Sequence, residues 1–293
     1  MTKSIMSLEW ANDSSRLDFA SYTALMDAVG FGEAEDYLPE SANPDYLRKH
    51  FGPGTHAIFA YDRKELVGLA RAFSDDHICS WLSEICVHPQ WQRLGIGREL
   101  MKRLNMRLSH TALYADSFPS KVEFFVECGI KPKDKLVACA TGEGKLPQPE
   151  QIVPPAGIRI DSDVANVDWL NVLKVYEETD FGGMSSQTLA TSFIGEGVHG
   201  FFAYQDDLLV GLARAMSDDI TTTWIAELCV HPKWQRKGIG TALLKTVLYH
   251  FRHTTIYAET FKPYAGLFAS CGIPPRPMLI ACSRAPIRGK VAL

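Results

Sequence analysis

The segment Leu66-Val-Gly-Leu-Ala-Arg-Ala-Phe-Ser-Asp-Asp76 returns as Leu209-Val-Gly-Leu-Ala-Arg-Ala-Met-Ser-Asp-Asp219, an offset of 143 residues. At the same offset, Cys86-Val-His-Pro-Gln-Trp-Gln-Arg-Leu-Gly-Ile-Gly97 returns as Cys229-Val-His-Pro-Lys-Trp-Gln-Arg-Lys-Gly-Ile-Gly240. From Leu66 to Leu104, 24 of 39 positions are identical to their partners. A period this long is a duplicated domain rather than a solenoid unit. A chain of 293 residues has room for two domains with cores of their own. Between the copies, the stretch from Thr141 to Pro155 is rich in Pro and Gly, which suits neither a helix nor a central strand. The expected division is therefore a domain over 1–145, a second over 156–293, and a linker at about 141–157. Phe31 to Phe59 is seven residues longer than Phe181 to Phe202. Loops tolerate such insertions and carry contacts, so the copies are expected to differ in what they accept.

Within a copy, Ala57–Tyr61 and Leu66–Ala72 are apolar and β-favouring around a polar turn, which predicts a hairpin. Phe201–Tyr204 and Leu208–Ala215 repeat it, and Trp81–Val87 and Trp224–Val230 add a third strand. After Gly97 the period changes: Leu100, Met101, Leu104 and Leu108 share one helical face. Short strands at Leu113–Ala115 and Ile256–Ala258, a helix, and last strands at Lys135–Ala140 and Met278–Cys282 follow; Phe19–Val29 and Trp169–Glu177 read as helices. The fold class is α/β (α+β), each copy a mixed, mostly antiparallel sheet flanked by helices.

Composition excludes several classes. A formal charge of −4 gives no basic surplus for nucleic acid, and no apolar run approaches the ~20 residues of a membrane span. Seven cysteines without Cys-x-x-Cys spacing argue against a disulfide framework or a zinc site. With no signal-peptide core at the start, a cytoplasmic location with reduced thiols is expected and no metal.

The most informative feature lies between a strand and a helix: Gln92-Arg93-Leu94-Gly95-Ile96-Gly97-Arg98, repeated as Gln235-Arg236-Lys237-Gly238-Ile239-Gly240-Thr241. Glycine permits φ > 0 and lets a ligand approach the backbone. Its exposed amides join the unpaired donors of the helix start, where the dipole favours an anion. A lone Gly-x-Gly is more often only a tight turn. The nucleoside-triphosphatase loop would require Gly-Lys-Ser/Thr, and the dinucleotide fingerprint a third glycine where Leu100 and Leu243 stand.

With Cys-Val-His-Pro before it and a hairpin further upstream, this twofold Gln-x-x-Gly-x-Gly pattern resembles the GCN5-related N-acetyltransferase (GNAT) superfamily over roughly residues 20–140 and 160–285. The resemblance implies acetyl-CoA, or another acyl-CoA, as donor. It places pantetheine along the backbone of Ile85, Cys86 and Val87, or of Leu228, Cys229 and Val230, with the pyrophosphate over 92–98 or 235–241. It also suggests the amide of Val87 or Val230 as the oxyanion donor.

Acyl transfer to an amine requires a deprotonated amine and protonation of the departing thiolate. Glu84 and Glu227 precede the loop where related enzymes often carry an acidic residue, and are the general-base candidates. The alternative is pairing with Arg71 and Arg214, which also repeat. Phe125 and Phe268 stand where many relatives have an acid-supplying Tyr, and phenylalanine has no proton to give. Tyr264 and Tyr257 are the substitutes in the second copy, and Tyr114 in the first. His88 and His231 read as turn residues, and the repeated cysteines as buried packing.

The expected protein is a tandem N-acetyltransferase, an intrachain pseudo-dimer (or a homodimer), moving an acetyl group from acetyl-CoA to a primary amine, more on a small molecule than on a protein. No nucleic acid or membrane partner is expected. The alternatives are a non-catalytic acyl-CoA sensor or scaffold, and a protein lysine or N-terminal acetyltransferase. The second copy reads as the more competent, because Lys237 and Thr241 add donors and Tyr264 is available.

Overall fold

The computed structural model describes residues 4–31, 46–142, 152–179, 181 and 183–287. The acidic run from Glu33 to Glu40 and residues 143–151 of the linker lie outside the described residues.

Helix α1 (Phe19–Val29) starts at Asp18, whose carboxylate accepts the Ser21 amide, and stops at Gly30 in the left-handed conformation. Both are the chemistry that helix ends require. Strand β1 (Glu9–Ala11) precedes it and a short α2 (Tyr46–His50) follows, then β2 (Thr55–Asp62), β3 (Glu65–Ser74) and β4 (Cys79–Val87). The expected hairpin and third strand are these last three, running antiparallel. Helix α3 (Ile96–Arg107), β5 (Ala112–Ser117), α4 (Val122–Glu127), β6 (Lys131–Pro132) and β7 (Leu136–Ala140) complete the first half. The second half repeats the order: β8 (Ile158–Asp161), α5 (Trp169–Glu177), α6 (Ser186–Phe193), β9 (Val198–Gln205), β10 (Leu208–Ser217), β11 (Thr222–Val230), α7 (Ile239–His250), β12 (Thr255–Phe261), α8 (Ala265–Ser270) and β13 (Ile280–Arg284). The short elements β1, β8, α2 and α6 escape periodicity because they span too few residues to display one.

The sheets do not follow the sequence boundary. Among the described residues, one sheet runs β1-β2-β3-β4-β5-β13-β6 and the other β7-β12-β11-β10-β9-β8. Strand β13 of the second half pairs with β5 (Cys282 opposite Ala115), and β7 of the first pairs with β12 (Cys139 opposite Ala258). The expectation of two self-contained copies is corrected: the halves have exchanged their last strands. Pattern could not reveal this. The copies offer nearly equivalent strand edges, and backbone hydrogen bonds are indifferent to which copy fills them.

Each sheet is covered on one face by its long helix: Leu100, Met101 and Leu104 are fully buried in the first half, Leu243, Leu244 and Val247 in the second. Helices α1 and α5 cover the opposite faces. Between the halves, the Trp81 and Trp224 rings stack at 6.1 Å and 7°, Tyr257 lies 5.1 Å from Trp81, and Tyr114 lies 5.7 Å from Trp224. No helix among the described residues is long and apolar enough to cross a membrane.

Candidate active site

Strands β4 and β5 run side by side only from Cys79 opposite Ala112 to Leu82 opposite Ala115, and β11 and β12 only from Thr222 opposite Thr255 to Ile225 opposite Ala258. At the same point β4 and β11 carry a bulge. Pairing with the preceding strand jumps from Leu82 to Glu84, and from Ile225 to Glu227. An extra residue bends and twists its strand. The strands therefore splay, and the backbone from 84 to 87 and from 227 to 230 is left without a neighbour on that side.

In the second half this splay opens into a cleft of about 1140 Å³. Its walls include Glu227–Val230, Gln235, Arg236, Gly238, Gly240 and Thr241 on one side, and Glu259–Tyr264 and Leu267 on another. Glu178, Thr179 and Phe181 line it after α5, and so do Asp134 and Lys135, which belong to the first half. The Lys262 amide donates to the carbonyl of Lys135 at 3.1 Å. Strand exchange thus makes the cleft a joint product of both halves.

The glycine loop is an amide cradle in both halves. Gly95 and Gly238 sit at φ +84° as the residues before α3 and α7, and Arg93 and Arg236 also have positive φ. The helical bonds begin where the Glu99 and Ala242 amides donate to the carbonyls of Gly95 and Gly238, so the amides of residues 96–98 and 239–241 have no carbonyl of their own helix to reach. Gln92 and Gln235 turn inward: their amides donate to the carbonyls of Val87 and Val230 at 3.0 and 2.9 Å, bracing the strand end. Of the cations, Arg98 is engaged by Glu127, and the Lys237 ammonium lies 4.5 Å over the Trp234 ring. Arg236 lines the cleft beside the loop amides. Ile85 and Val87 pack toward the α3 side and Leu228 and Val230 toward α7, while Cys86 and Cys229 are buried against α1 and α5. Only the main chain of these six faces the splay in common. Leu94 is partly exposed, and Ile96 and Ile239 anchor the helices in the core.

The glutamates expected to act as bases are tied elsewhere. Glu84 accepts from buried Arg71 at 2.8 Å and stands 3.4 Å from His50. Burial works against its charge, but Arg71 and His50 win, and its carboxyl is held at about 2. A carboxylate held that low is a poor proton acceptor at neutral pH. Both Glu227 oxygens accept from the Arg214 guanidinium, and the Tyr176 hydroxyl donates to it at 3.4 Å. The base assignment is corrected on this ground: both carboxylates are counter-ions of buried arginines.

Another carboxyl pair was not singled out by sequence. Asp116 on β5 and Glu259 on β12 occupy equivalent positions and meet between the halves, where each carboxyl acts on the other. Trp81 and Trp224 both donate their indole N–H to Glu259, at 2.9 and 2.6 Å. Neither buried oxygen of Asp116 receives a donor group. Burial pushes the Glu259 carboxyl up to about 7 despite its indole donors, and raises Asp116 well above the usual range. The signal available in the sequence was an acidic residue kept in both copies within an apolar strand, Tyr114-Ala-Asp and Tyr257-Ala-Glu.

Tyr264 lines the cleft and is half exposed. Tyr257 and Tyr114 are corrected as acid candidates, because their rings pack, tilted, against the tryptophans between the halves. His88 and His231 cap their turns, each Nδ1 accepting an amide N–H two residues on. All seven cysteines are free, with thiols pushed up by burial, which leaves none as a ready nucleophile.

Comparison with known proteins agrees with this architecture. A family profile described as "Acetyltransferase (GNAT) domain" matches residues 25–137, and one described as "Acetyltransferase (GNAT) family" matches 167–272. A tandem GNAT protein from the clavulanic acid biosynthesis pathway is 17% identical, with 95% of this chain and 98% of that chain covered and a TM-score of 0.53. A GCN5-related N-acetyltransferase from Sphaerobacter thermophilus is 16% identical, with 98% of each chain covered and a TM-score of 0.56. At these identities the likeness is one of fold.

Proposed function

The chain belongs to the GNAT family of acetyltransferases, with one domain of it in each half, and from that premise we propose that it is an N-acetyltransferase whose working cleft is the one in the second half. The observation that carries this reading is the continuity of that cleft. It joins the unpaired β11 edge and the glycine cradle to a wall where an acceptor would sit.

The residues present fit an acyl-CoA. The amides of Ile239, Gly240 and Thr241, with Arg236 beside them, suit a pyrophosphate, and the free edge of Leu228–Val230 suits a chain of amides. At Gly240 a Cβ would come within 3.5 Å of Leu267, so a larger residue would fill the floor of the cradle. When bound, acetyl-CoA supplies the activated acyl carbon, the C–N bond forming as the C–S bond breaks. Tyr264, which lines the cleft, would return a proton to the departing sulfur. Asp134 and Glu178 put carboxylates on or near the acceptor wall, which favours a cationic primary amine on a small molecule.

The first half is built differently at matching points. Phe124 lies across Gly97 where Leu267 faces Gly240, and Arg98 is held by Glu127 where the second half has Thr241. Pro277 and Met278 lead into β13 where Asp134 and Lys135 lead into β7. These substitutions favour a binding or scaffolding role for that half.

Calorimetry with acetyl-CoA and thiol release over a panel of amines test the reading. Turnover on a small amine is expected. Binding without turnover on any amine would replace it with an acyl-CoA sensor, and turnover on peptides alone with a protein acetyltransferase.

A further inference from the structure

Resting on the acetyl-transfer reading, we infer that Glu259 is the proton acceptor for the amine in the second-half cleft, and that Asp116 of the other half keeps it one by holding the proton the two carboxyls share. Glu259 lines the cleft just past the point where β12 leaves β11. The buried arginines are committed elsewhere: Arg71 to Glu84 and Asp218, Arg214 to Glu227 and Asp75, and Arg284 to Asn105 and the carbonyls of Leu108 and Thr111. Its oxygens take two indole N–H groups, which steady an anion without neutralising it.

The pair is related by the duplication, yet it is not symmetric. Both indoles point at Glu259, and no donor group points at either oxygen of Asp116. Two carboxyls in contact cannot both ionise cheaply, so one proton stays. With every donor on one side, the charge resides on Glu259 and the proton on Asp116, whose O–H donates to it. The asymmetry thereby selects the second half as the one with a carboxylate to offer.

The groups facing the pair leave this unchanged at neutral pH. Cys79 on β4, Tyr114 on β5, Cys139 on β7 and Cys282 on β13 feel its charge, and burial keeps all four protonated. Tyr257 on β12 also faces Asp116 and stays neutral. Cations bear on these neighbours, Arg214 on Cys79, Arg276 on Tyr257 and Lys133 on Cys282.

The step balances simply. One proton passes from the acceptor's ammonium nitrogen to a Glu259 oxygen, freeing the nitrogen lone pair, and afterwards leaves Glu259 for water in the cleft.

The test uses the full chain, Glu259→Gln and Asp116→Asn. Carboxyl-carbon NMR should find Glu259 titrating near 7 in the unaltered protein. Asp116→Asn exchanges the carboxyl O–H for a weaker amide donor and leaves the burial in place, so that titration should move up. The acid limb of kcat/KM for thiol release should move with it. Glu259→Gln should lose about 10²–10⁴-fold in kcat with acetyl-CoA binding unchanged. Glu259 titrating at the ordinary value in the unaltered protein overturns the pairing, whatever the activity. A full rate in Glu259→Gln overturns the base role. Absence of turnover on any amine, with Glu259 still titrating near 7, overturns the proposed function and the base role with it but leaves the shared proton standing.

Discussion

Arg71 of the first half donates to Asp218 of the second at 2.9 Å, and both side chains are fully buried. The duplication returns the favour, with Arg214 donating to Asp75. Each arginine also holds the glutamate opposite it on its own sheet. The acidic turns repeated in both copies therefore bind the halves together. Breaking one partner of such a buried pair leaves a charge without compensation, at a cost of about 3–5 kcal/mol. Arg71→Ala should lower stability by that amount in urea unfolding monitored by tryptophan fluorescence. A loss under about 1 kcal/mol would mean that the pair behaves as an exposed one.

The same carboxylates set the acid limit. The Glu84 carboxyl is held at about 2 in the fold, against about 4.3 when unfolded. Asp218 is also held below its ordinary value, with help from His50 and Arg71. Depressed values mean that this stabilisation is complete above about pH 4.3 and drains away as pH falls toward 2. Urea midpoints measured through that window should fall steadily, and less steeply in Glu84→Gln.

Glu259 has the opposite sign. Its folded value of about 7 lies above the unfolded one, so the fold binds the extra proton and loses stability as pH rises between about 4.3 and 7. Glu259→Gln should remove that decline, at most about 1.4 kcal/mol per pH unit. Parallel stability curves for the two proteins from pH 5 to pH 8 would contradict it.

Gly95 and Gly238 each occupy the left-handed region at φ +84°, where a side chain costs roughly 1–2 kcal/mol. A carboxylate there would also repel the phosphates. Gly95→Glu and Gly238→Glu should each remove one equivalent of acetyl-CoA in calorimetry, and only Gly238→Glu should abolish turnover. Unchanged stoichiometry in both would sink the cradle assignment.

Strand exchange predicts that the halves stay joined without a covalent link. With a protease site inserted between Thr141 and Pro155 and cleaved, the two fragments should co-elute in gel filtration and retain the unfolding midpoint within a few degrees. Separation into two folded fragments would contradict the pairing of β7 with β12 and of β13 with β5.

The sequence by itself determined the duplication, the fold class, the hairpin and helix periods, and the glycine cradles, because each is written in local spacing. Phe19–Val29 and Trp169–Glu177 emerged as helices over those same residues. Spacing could not decide which sheet receives Leu136–Ala140 or Ile280–Arg284, since two nearly identical copies present nearly identical edges. It also could not decide what the acidic residues face. Glu84 and Glu227 precede the loop and pattern made them bases, but buried arginines reach them first. Asp116 and Glu259 lie 143 residues apart and become neighbours only when the halves close tryptophan against tryptophan. Protonation depends on burial and on the charges nearby, and those are properties of the assembled chain.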